Sequence, residues 1–481
     1  MGVFHVKCNK KLTGAVLLSL CLGLAQGVWA ADHLAIVEKN KKQGLIDETG
    51  RVVLPLEFKK VAVEDKETVP VVLARKKGKY GLYDREGKEL IAPTLSKVTD
   101  VSEGIMGGQE KGRWSFYTIE GKKLPGVYDE VGQFRDGLAP VKIKGKWGYV
   151  DKEGTLKIPA QYKEARAFSE GLAAVKLDKQ WSYVKTDGIP VIAGRVKKPG
   201  DFHQGVAIVD DGWLMDKDGR KYAKLKKYSY VGDFADNGLA LVGVRRASRS
   251  FLDYISIGWG WGDGWDGWGI GFPGWGWGYP GWGWGGGYGY HHHHHHHHSG
   301  WGWGGGIPMG AAVPRNMYRG YINKKGQEVI SPNYRYVSQF YGDYALFADE
   351  GHWGMLDTKG QVIIPAAYDQ LWPFSNGLAA FSFDKKWGFI DKDNKVVIPN
   401  HYDQVGAFLE DRTTAVEKEK GGIIDKSGNP VAPFREQLKE IGPLSAHRAA
   451  FKDPAKGKWG YVDADANVVI SPEYDSAGVF D

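Results

Sequence analysis

Residues 377–403 read GLAAFSFDKKWGFIDKDNKVVIPNHYD, and this stretch decides the fold. It contains three phrases. The first is a short apolar run ending in a Lys-rich turn, and the second is Trp-Gly-aromatic-aliphatic-Asp. The third is an aliphatic run closed by Pro and Tyr. The same phrases return from Gly137, GLAPVKIKGKWGYVDKEGTLKIPAQY, and from Gly171, GLAAVKLDKQWSYVKTDG. Each run is too short for a helix and is rich in Val, Ile, Tyr and Trp, which is strand chemistry at strand length.

Working outward, the second phrase begins at Gln43, Tyr80, Trp114, Trp147, Trp181, Gly212, Arg319, Trp353, Trp387, Gly421 and Trp459. A chain of 481 residues exceeds what one core organises, and a tandem array of about eleven units of roughly 34 residues accounts for it. Between the second and third phrases stands Asp-x-x-Gly, as at Asp151–Gly154 and Asp357–Gly360. Asp bonds the backbone ahead of it and Gly takes the positive φ of a tight turn. Asn394 and Ala466 replace that glycine. Proline (Pro55, Pro93, Pro159, Pro365, Pro399) closes the third phrase because it cannot donate to a ladder. Tryptophan at the head of the second phrase is read as packing between repeats, with a ligand platform as the alternative. The glycine after it (Gly148, Gly354, Gly388, Gly460) admits a second backbone.

The Trp-Gly pairs at 147–148, 353–354, 387–388 and 459–460 resemble those of the bacterial WG-repeat family. The resemblance covers nearly all of residues 33–481 outside a central insertion. It implies β-rich repeats that bind or scaffold, and it carries over no functional residue. Gln43, Gly212, Arg319 and Gly421 depart from the motif. The expected fold is therefore all-β, with tandem WG β-repeats forming an open β-solenoid-like array. The alternative is two β-propeller-like rings, since eleven blades exceed one ring of usual size. The open array is favoured because no leftover strand is evident to pair the termini.

Residues 1–30 read as a signal peptide. Lys7, Lys10 and Lys11 precede an apolar run, Leu12 to Leu24, and Val28-Trp29-Ala30 offers a cleavage site before Ala31. The apolar run is short of the about 20 residues of a membrane span. Both cysteines, Cys8 and Cys21, lie in this segment, so the mature chain has no thiol. Losing the three lysines lowers the net charge from +7 to +4, and nothing resembles a nucleic-acid-binding stripe. The expected location is the periplasm, cell surface or extracellular space, with no transmembrane segment in the mature chain.

Residues 31–248 are assigned to repeats 1–6 and the first strand of repeat 7, and 317–481 to the remainder of repeat 7 and repeats 8–11. Between them, residues 249–316 form a Gly/Trp/His-rich low-complexity insertion whose composition predicts disorder. It holds the candidate metal ligands, His291, His292, His293, His294, His295, His296, His297 and His298, whose adjacent imidazoles suit Zn, Ni or Cu. No cofactor is required by any other feature. Its alternating Trp and Tyr suit stacking on sugars or cell-wall polymer. Asp47, Asp84, Asp151, Asp216, Asp357, Asp391, Asp425 and Asp463 recur at one turn position, which reads as structural rather than as a catalytic pair. There is no nucleophile elbow or phosphate-cradling loop. The expectation is an exported, non-enzymatic binding or scaffold protein of the cell envelope, whose partner is a protein or an envelope polymer and not nucleic acid. Metal binding through the His tract and carbohydrate binding through exposed Trp/Tyr are the alternatives.

Overall fold

A computed structural model describes residues 33–64, 70–245 and 317–480. Within them the chain forms eleven antiparallel sheets in succession, nine of four strands and two of three. The only helical element among the described residues is one 3-10 turn, Glu436–Leu438. Blades are numbered in chain order from the sheet that contains Leu34–Lys39, and blade 4 is representative. Its strands are Glu130–Val131, Leu138–Ile143, Lys146–Asp151 and Leu156–Tyr162, paired in chain order. The three phrases supply the second, third and fourth strands. The first strand, often only two residues, was not foreseen. It follows the closing tyrosine, as in Tyr128-Asp129-Glu130-Val131.

The sheets form an eleven-blade propeller-like ring, so the propeller alternative describes the arrangement and the open array does not. One ring stands in place of two, and Ala31–Asp481 is a single compact unit. Closure comes from a strand that the sequence reading denied. Ser476–Phe480 pairs antiparallel with Leu34–Lys39, with Ala35 opposite Phe480 and Val37 opposite Ala477, and becomes the first strand of blade 1. Its sequence, Tyr474-Asp475-Ser476-Ala477-Gly478-Val479-Phe480, matches Tyr402-Asp403-Gln404-Val405-Gly406-Ala407-Phe408 in blade 10. The first strand of blade 10 is only Gln404–Val405, and the five-residue closing strand is recognised only beside it.

The core lies between blades. Leu138, Tyr149 and Ile158 of blade 4 cluster with Phe168, Ala173, Val175 and Val184 of blade 5. Tyr149 meets Phe168 edge to face at 4.9 Å, and its hydroxyl donates to Arg166 O at 2.7 Å. Burial pushes that phenol well above the usual tyrosine pKa, so it remains a donor. Tyr183–Phe202 and Phe389–Phe408 repeat the ring contact. Tyr461–Phe480 repeats it across the closure, at 4.9 Å. Each fully buried aromatic contributes roughly 1.5–3 kcal/mol by area, before the cost of ordering it.

Most tryptophans of the motif sit at the edge of that core. Trp147, Trp181, Trp353 and Trp459 are half-buried, while the aromatic two residues on is buried at Tyr149, Tyr183 and Tyr461; Trp387 is itself buried, in the core between blades 9 and 10. The glycine after Trp serves as predicted. Trp147 pairs with Tyr162 and Tyr149 with Ile158, so the fourth strand bulges toward Gly148. A Cβ there would stand 2.5 Å from Ile158 O. In blade 6 the register keeps Gly212 at the tryptophan position, since Val206 pairs with Asp216 as Leu138 does with Asp151, and Val209 with Trp213 as Val141 does with Gly148. Trp213 stands where blade 4 has Gly148, with the Lys224 ammonium over its ring at 5.2 Å.

Candidate functional site

In a four-stranded meander the turn between strands two and three and the link to the next blade share one end. The other two turns share the opposite end. The first end carries the Lys-rich turns, and there the insertion joins Leu239–Arg245 to Met317–Asn323. Those strands stay paired from Leu239–Asn323 to Arg245–Met317, as a hairpin with an extended tip would. Residues 1–30 and the whole insertion, 249–316, with the candidate ligands His291–His298, lie outside the described residues.

At this end an aspartate after the closing tyrosine ties neighbouring blades together. Asp129 takes an ion pair from Arg113 of blade 3 and the Gly145 amide of blade 4 at 3.3 Å. Asp403 likewise takes Lys386 and the Lys418 amide at 2.7 Å, and Asp475 takes Lys458 and the Asn40 amide at 2.6 Å, bridging the termini. The Gly145 amide foremost holds the Asp129 carboxyl below its usual pKa, and the Lys458 hydrogen bond does the same for Asp475. Half-buried indoles lie at the roots of the turns. Lys142 sits over Trp147 at 5.7 Å and Lys176 over Trp181 at 5.5 Å.

The opposite end is made of blade-to-blade turn contacts. Ser169 Oγ donates to Phe202 O at 2.7 Å, Ser375 Oγ to Phe408 O at 2.6 Å, and Ser445 Oγ to Phe480 O at 2.6 Å. Asp136 Oδ2 accepts from Gly171 N at 2.7 Å, and Glu170 Oε2 from Gly205 N at 2.9 Å. The recurring aspartates lie in this end's other turns. Asp151 Oδ1 accepts from Glu153 N at 3.1 Å and Thr155 N at 2.7 Å, and Asp357 from Lys359 N at 2.9 Å and Gln361 N at 2.8 Å. Asn323 makes the same two bonds at 3.0 and 3.1 Å. These carboxylates are occupied as turn acceptors, each in its own blade.

A groove of about 540 Å³ beside blades 9 and 10 is lined by His401, Tyr402, Glu417, Lys418 and Phe434. There His401 stacks on Tyr402 at 4.0 Å, and its Nδ1 lies 3.0 Å from Pro399 O. The other histidines beyond the tract are scattered. His203 lies 3.8 Å from Asp233 and His447 3.9 Å from Glu410. Among the described residues no three His, Cys, Asp or Glu side chains are grouped to hold a metal. No helix among them is long and apolar enough to cross a membrane.

The repeated four-stranded blade, with Trp at its rim and glycine under a bulge, defines a tandem β-repeat protein. The model of the WG containing repeat family matches residues 44–79, 80–114, 123–147, 147–181, 320–351, 353–387, 387–420 and 459–481, over half of the sequence, and the chain belongs to that family. No curated protein matches it. Among solved structures it is similar to a eukaryotic initiation factor, at 10% identity and TM-score 0.36, over 84% of this chain and 96% of that one. It is also similar to the extracellular domain of a hybrid two-component system from B. thetaiotaomicron, at 11% identity and TM-score 0.23, over 93% and 65%. A third is PorZ, a surface component of the type-IX secretion system of Porphyromonas gingivalis, at 10% identity and TM-score 0.22, over 94% and 67%. At these scores the likenesses carry no functional argument.

Proposed function

We propose that this chain is an exported, non-enzymatic binding scaffold of the cell envelope. The ring holds one loop-rich end, and the Trp/Tyr/His insertion displayed there, toward a partner. The observation that supports this reading is the division of labour between side chains. The recurring carboxylates are consumed by turns and seams, while the large insertion leaves from a hairpin whose strands remain in register. A scaffold needs that arrangement, and loop closure tolerates it because its entropy grows slowly with length.

The test is co-sedimentation of the purified protein with isolated envelopes, with and without residues 249–316. The expected result is saturable binding that excision weakens while the β circular dichroism is unchanged. Absence of saturable binding by the intact protein would sink the reading. The second reading is transition-metal capture, supported by eight consecutive imidazoles, His291–His298. It requires Zn or Ni binding that disappears on excision and weakens below about pH 6.5, where imidazole protonates.

A further inference from the structure

We infer that the Lys-rich end of blades 1–5 is a docking surface for a linear acidic polysaccharide, a carboxylate-bearing glycan. This rests on the scaffold reading and names the chemistry of its partner.

Each of these five blades places one exposed lysine in the turn between its second and third strands: Lys41, Lys77, Lys111, Lys144 and Lys179. None of the five forms an ion pair with a described residue. Blade 6 has Asp210-Asp211 at this turn and blade 8 has Glu350, which bound the run of five. Lysine returns beyond them beside acids, as Asp384-Lys385 in blade 9, Lys418-Glu419 in blade 10, where Lys418 pairs with Glu417, and Lys456 in blade 11, whose amide bonds Asp453.

The links between blades change in the same sense. Asp403 and Asp475 occupy the seam position elsewhere, and their amides donate to Val416 O and Glu38 O. The same backbone bond is made by Lys59, to Arg75 O at 2.8 Å, and by Lys163, to Lys176 O at 2.7 Å. Lysine has thus replaced the carboxylate between blades 1 and 2 and between blades 4 and 5. Crowding is visible at Lys60, where burial first and the nearby Arg75 charge second lower the ammonium pKa. Carboxylates are present too. Glu57 pairs with Lys76, Glu130 with Lys142, Glu164 with Lys176, and exposed Asp178 with Lys163 at 3.5 Å. They neutralise the strand-end and link lysines and leave the five turn lysines unpaired.

The form of the cation points to the partner. The five unpaired turn cations are lysine point charges, while Arg113, the bidentate-capable neighbour, is committed to Asp129. A row of point charges suits carboxylates spaced along a flexible chain. Aromatic area lies close by, in the half-buried Trp114, Trp147 and Trp181. Aromatic faces suit the apolar faces of sugar rings.

The test is binding of the purified protein to polygalacturonate, with neutral dextran and DNA as comparison polymers. The surface predicts preference for polygalacturonate over both, and affinity falling several-fold between about 50 and about 200 mM salt. The variant K41Q/K77Q/K111Q/K144Q/K179Q should bind about tenfold or more weaker with an unchanged melting curve. K359Q/K392Q/K426Q, which alters exposed lysines in turns at the other end, should bind as the parent does. If the five-lysine variant melts early, the pair K77E/K144E gives the same reading with fewer changes. Equal binding by parent and arc variants, equal binding to dextran, or preference for DNA would overturn the inference. Envelope binding without polygalacturonate binding removes this inference and leaves the scaffold standing. Polygalacturonate binding without envelope binding does the reverse.

Discussion

Replacing Gly148 by serine tests why the Trp-Gly pair exists. The added Cβ would stand 2.5 Å from Ile158 O, 2.7 Å from Ala160 N and 2.9 Å from Ala160 Cα. All three are backbone atoms, so no side chain can rotate away, and relief requires moving the fourth strand. Overpacking costs about 1–3 kcal/mol, and a weakened ladder bond adds about 1, giving about 2–4 kcal/mol. Two blades show how the cost is avoided. In blade 3 the glycine has become Ser115, and Gly126 stands where Ala160 stands in blade 4. Ser115 is buried and its Oγ donates to Gly126 O at 3.2 Å. In blade 5, Ser182 follows Trp181, and Gly194 occupies the corresponding place in Pro190–Val196. A serine Cβ thus occurs opposite a glycine across the bulge in both blades, and in blade 3 that glycine also takes φ +102°. Ala160→Gly alone should cost about 0.5–1 kcal/mol, and the Gly148→Ser/Ala160→Gly double variant should recover at least about 1 kcal/mol relative to additivity. Urea unfolding of the four proteins measures this, with the m-value checked because repeat arrays lose cooperativity. A Gly148→Ser cost below about 0.5 kcal/mol, or strict additivity, would refute the reasoning.

Gly154→Val should destabilise by about 1–3 kcal/mol, because Gly154 has φ +81° and a Cβ there would stand 2.7 Å from Pro125 O. Asp151→Asn should be mild, since Asn323 already serves as that acceptor, and thermal melts compare the two. Removing residues 475–481 should open the seam between blades 11 and 1, read as faster amide exchange in Leu34–Lys39 and in Lys458–Asp463 while blade 5 stays protected. Acid should weaken the ring. At Asp47 burial is the largest influence and would raise the pKa, but hydrogen bonds from Thr49 and Arg51 outweigh it, and Asp425 is lowered in the same way. Folded carboxylates with depressed pKa values contribute stability that is present above about pH 4 and lost as pH falls through the folded values, so melting temperature should drop below about pH 4. A flat acid profile would mean the turn bonds are not held.

The turns were legible because their chemistry is local. All eleven Asp-x-x-Gly-type positions have positive φ, including Asn394 at 62° and Ala466 at 65°. The three phrases were legible as strands because each spans four or more residues with a β pattern, although in blades 3 and 10 the third phrase makes only isolated bridges. The first strand was not, since Glu130–Val131 or Gln404–Val405 shows no periodicity in two residues. Ring closure followed that omission. Tyr474 to Phe480 reads as a strand only when laid over Tyr402 to Phe408, and the buried Phe480 and Phe408 then align. Tryptophan packs against the inter-blade core as expected, buried at Trp387 and at the edge of the clusters at Trp147, Trp181, Trp353 and Trp459. The third strand is covered on both faces by neighbouring blades, so Gly148, Tyr149 and Val150 are all buried, while Trp147 at the hairpin root meets the rim. Metal binding at His291–His298 rests on composition alone, because these residues lie outside the described ones.

The seam position gives the last step. An aspartate there serves two blades at once, and Asp475 uses it to join the two ends of the chain. Exposed ion pairs of this kind are worth little individually, with a median of about 0–1 kcal/mol. The buried aromatic contacts, and the hydroxyl bonds at the opposite end, fix the blades without them, as Tyr183–Phe202 and Ser169–Phe202 do between blades 5 and 6, where the link carries Lys197. The carboxylate is consequently cheap to lose wherever a second charge pattern is selected. Lys59 and Lys163 occupy that place within the arc of unpaired turn lysines, while Asp403 and Asp475 hold it outside the arc. Asp129 keeps it inside the arc, where it restrains Arg113 and the Gly145 amide. The energetic weakness of the surface seam thus lets one end of a repetitive ring acquire a charge of its own without disturbing the core that closes it.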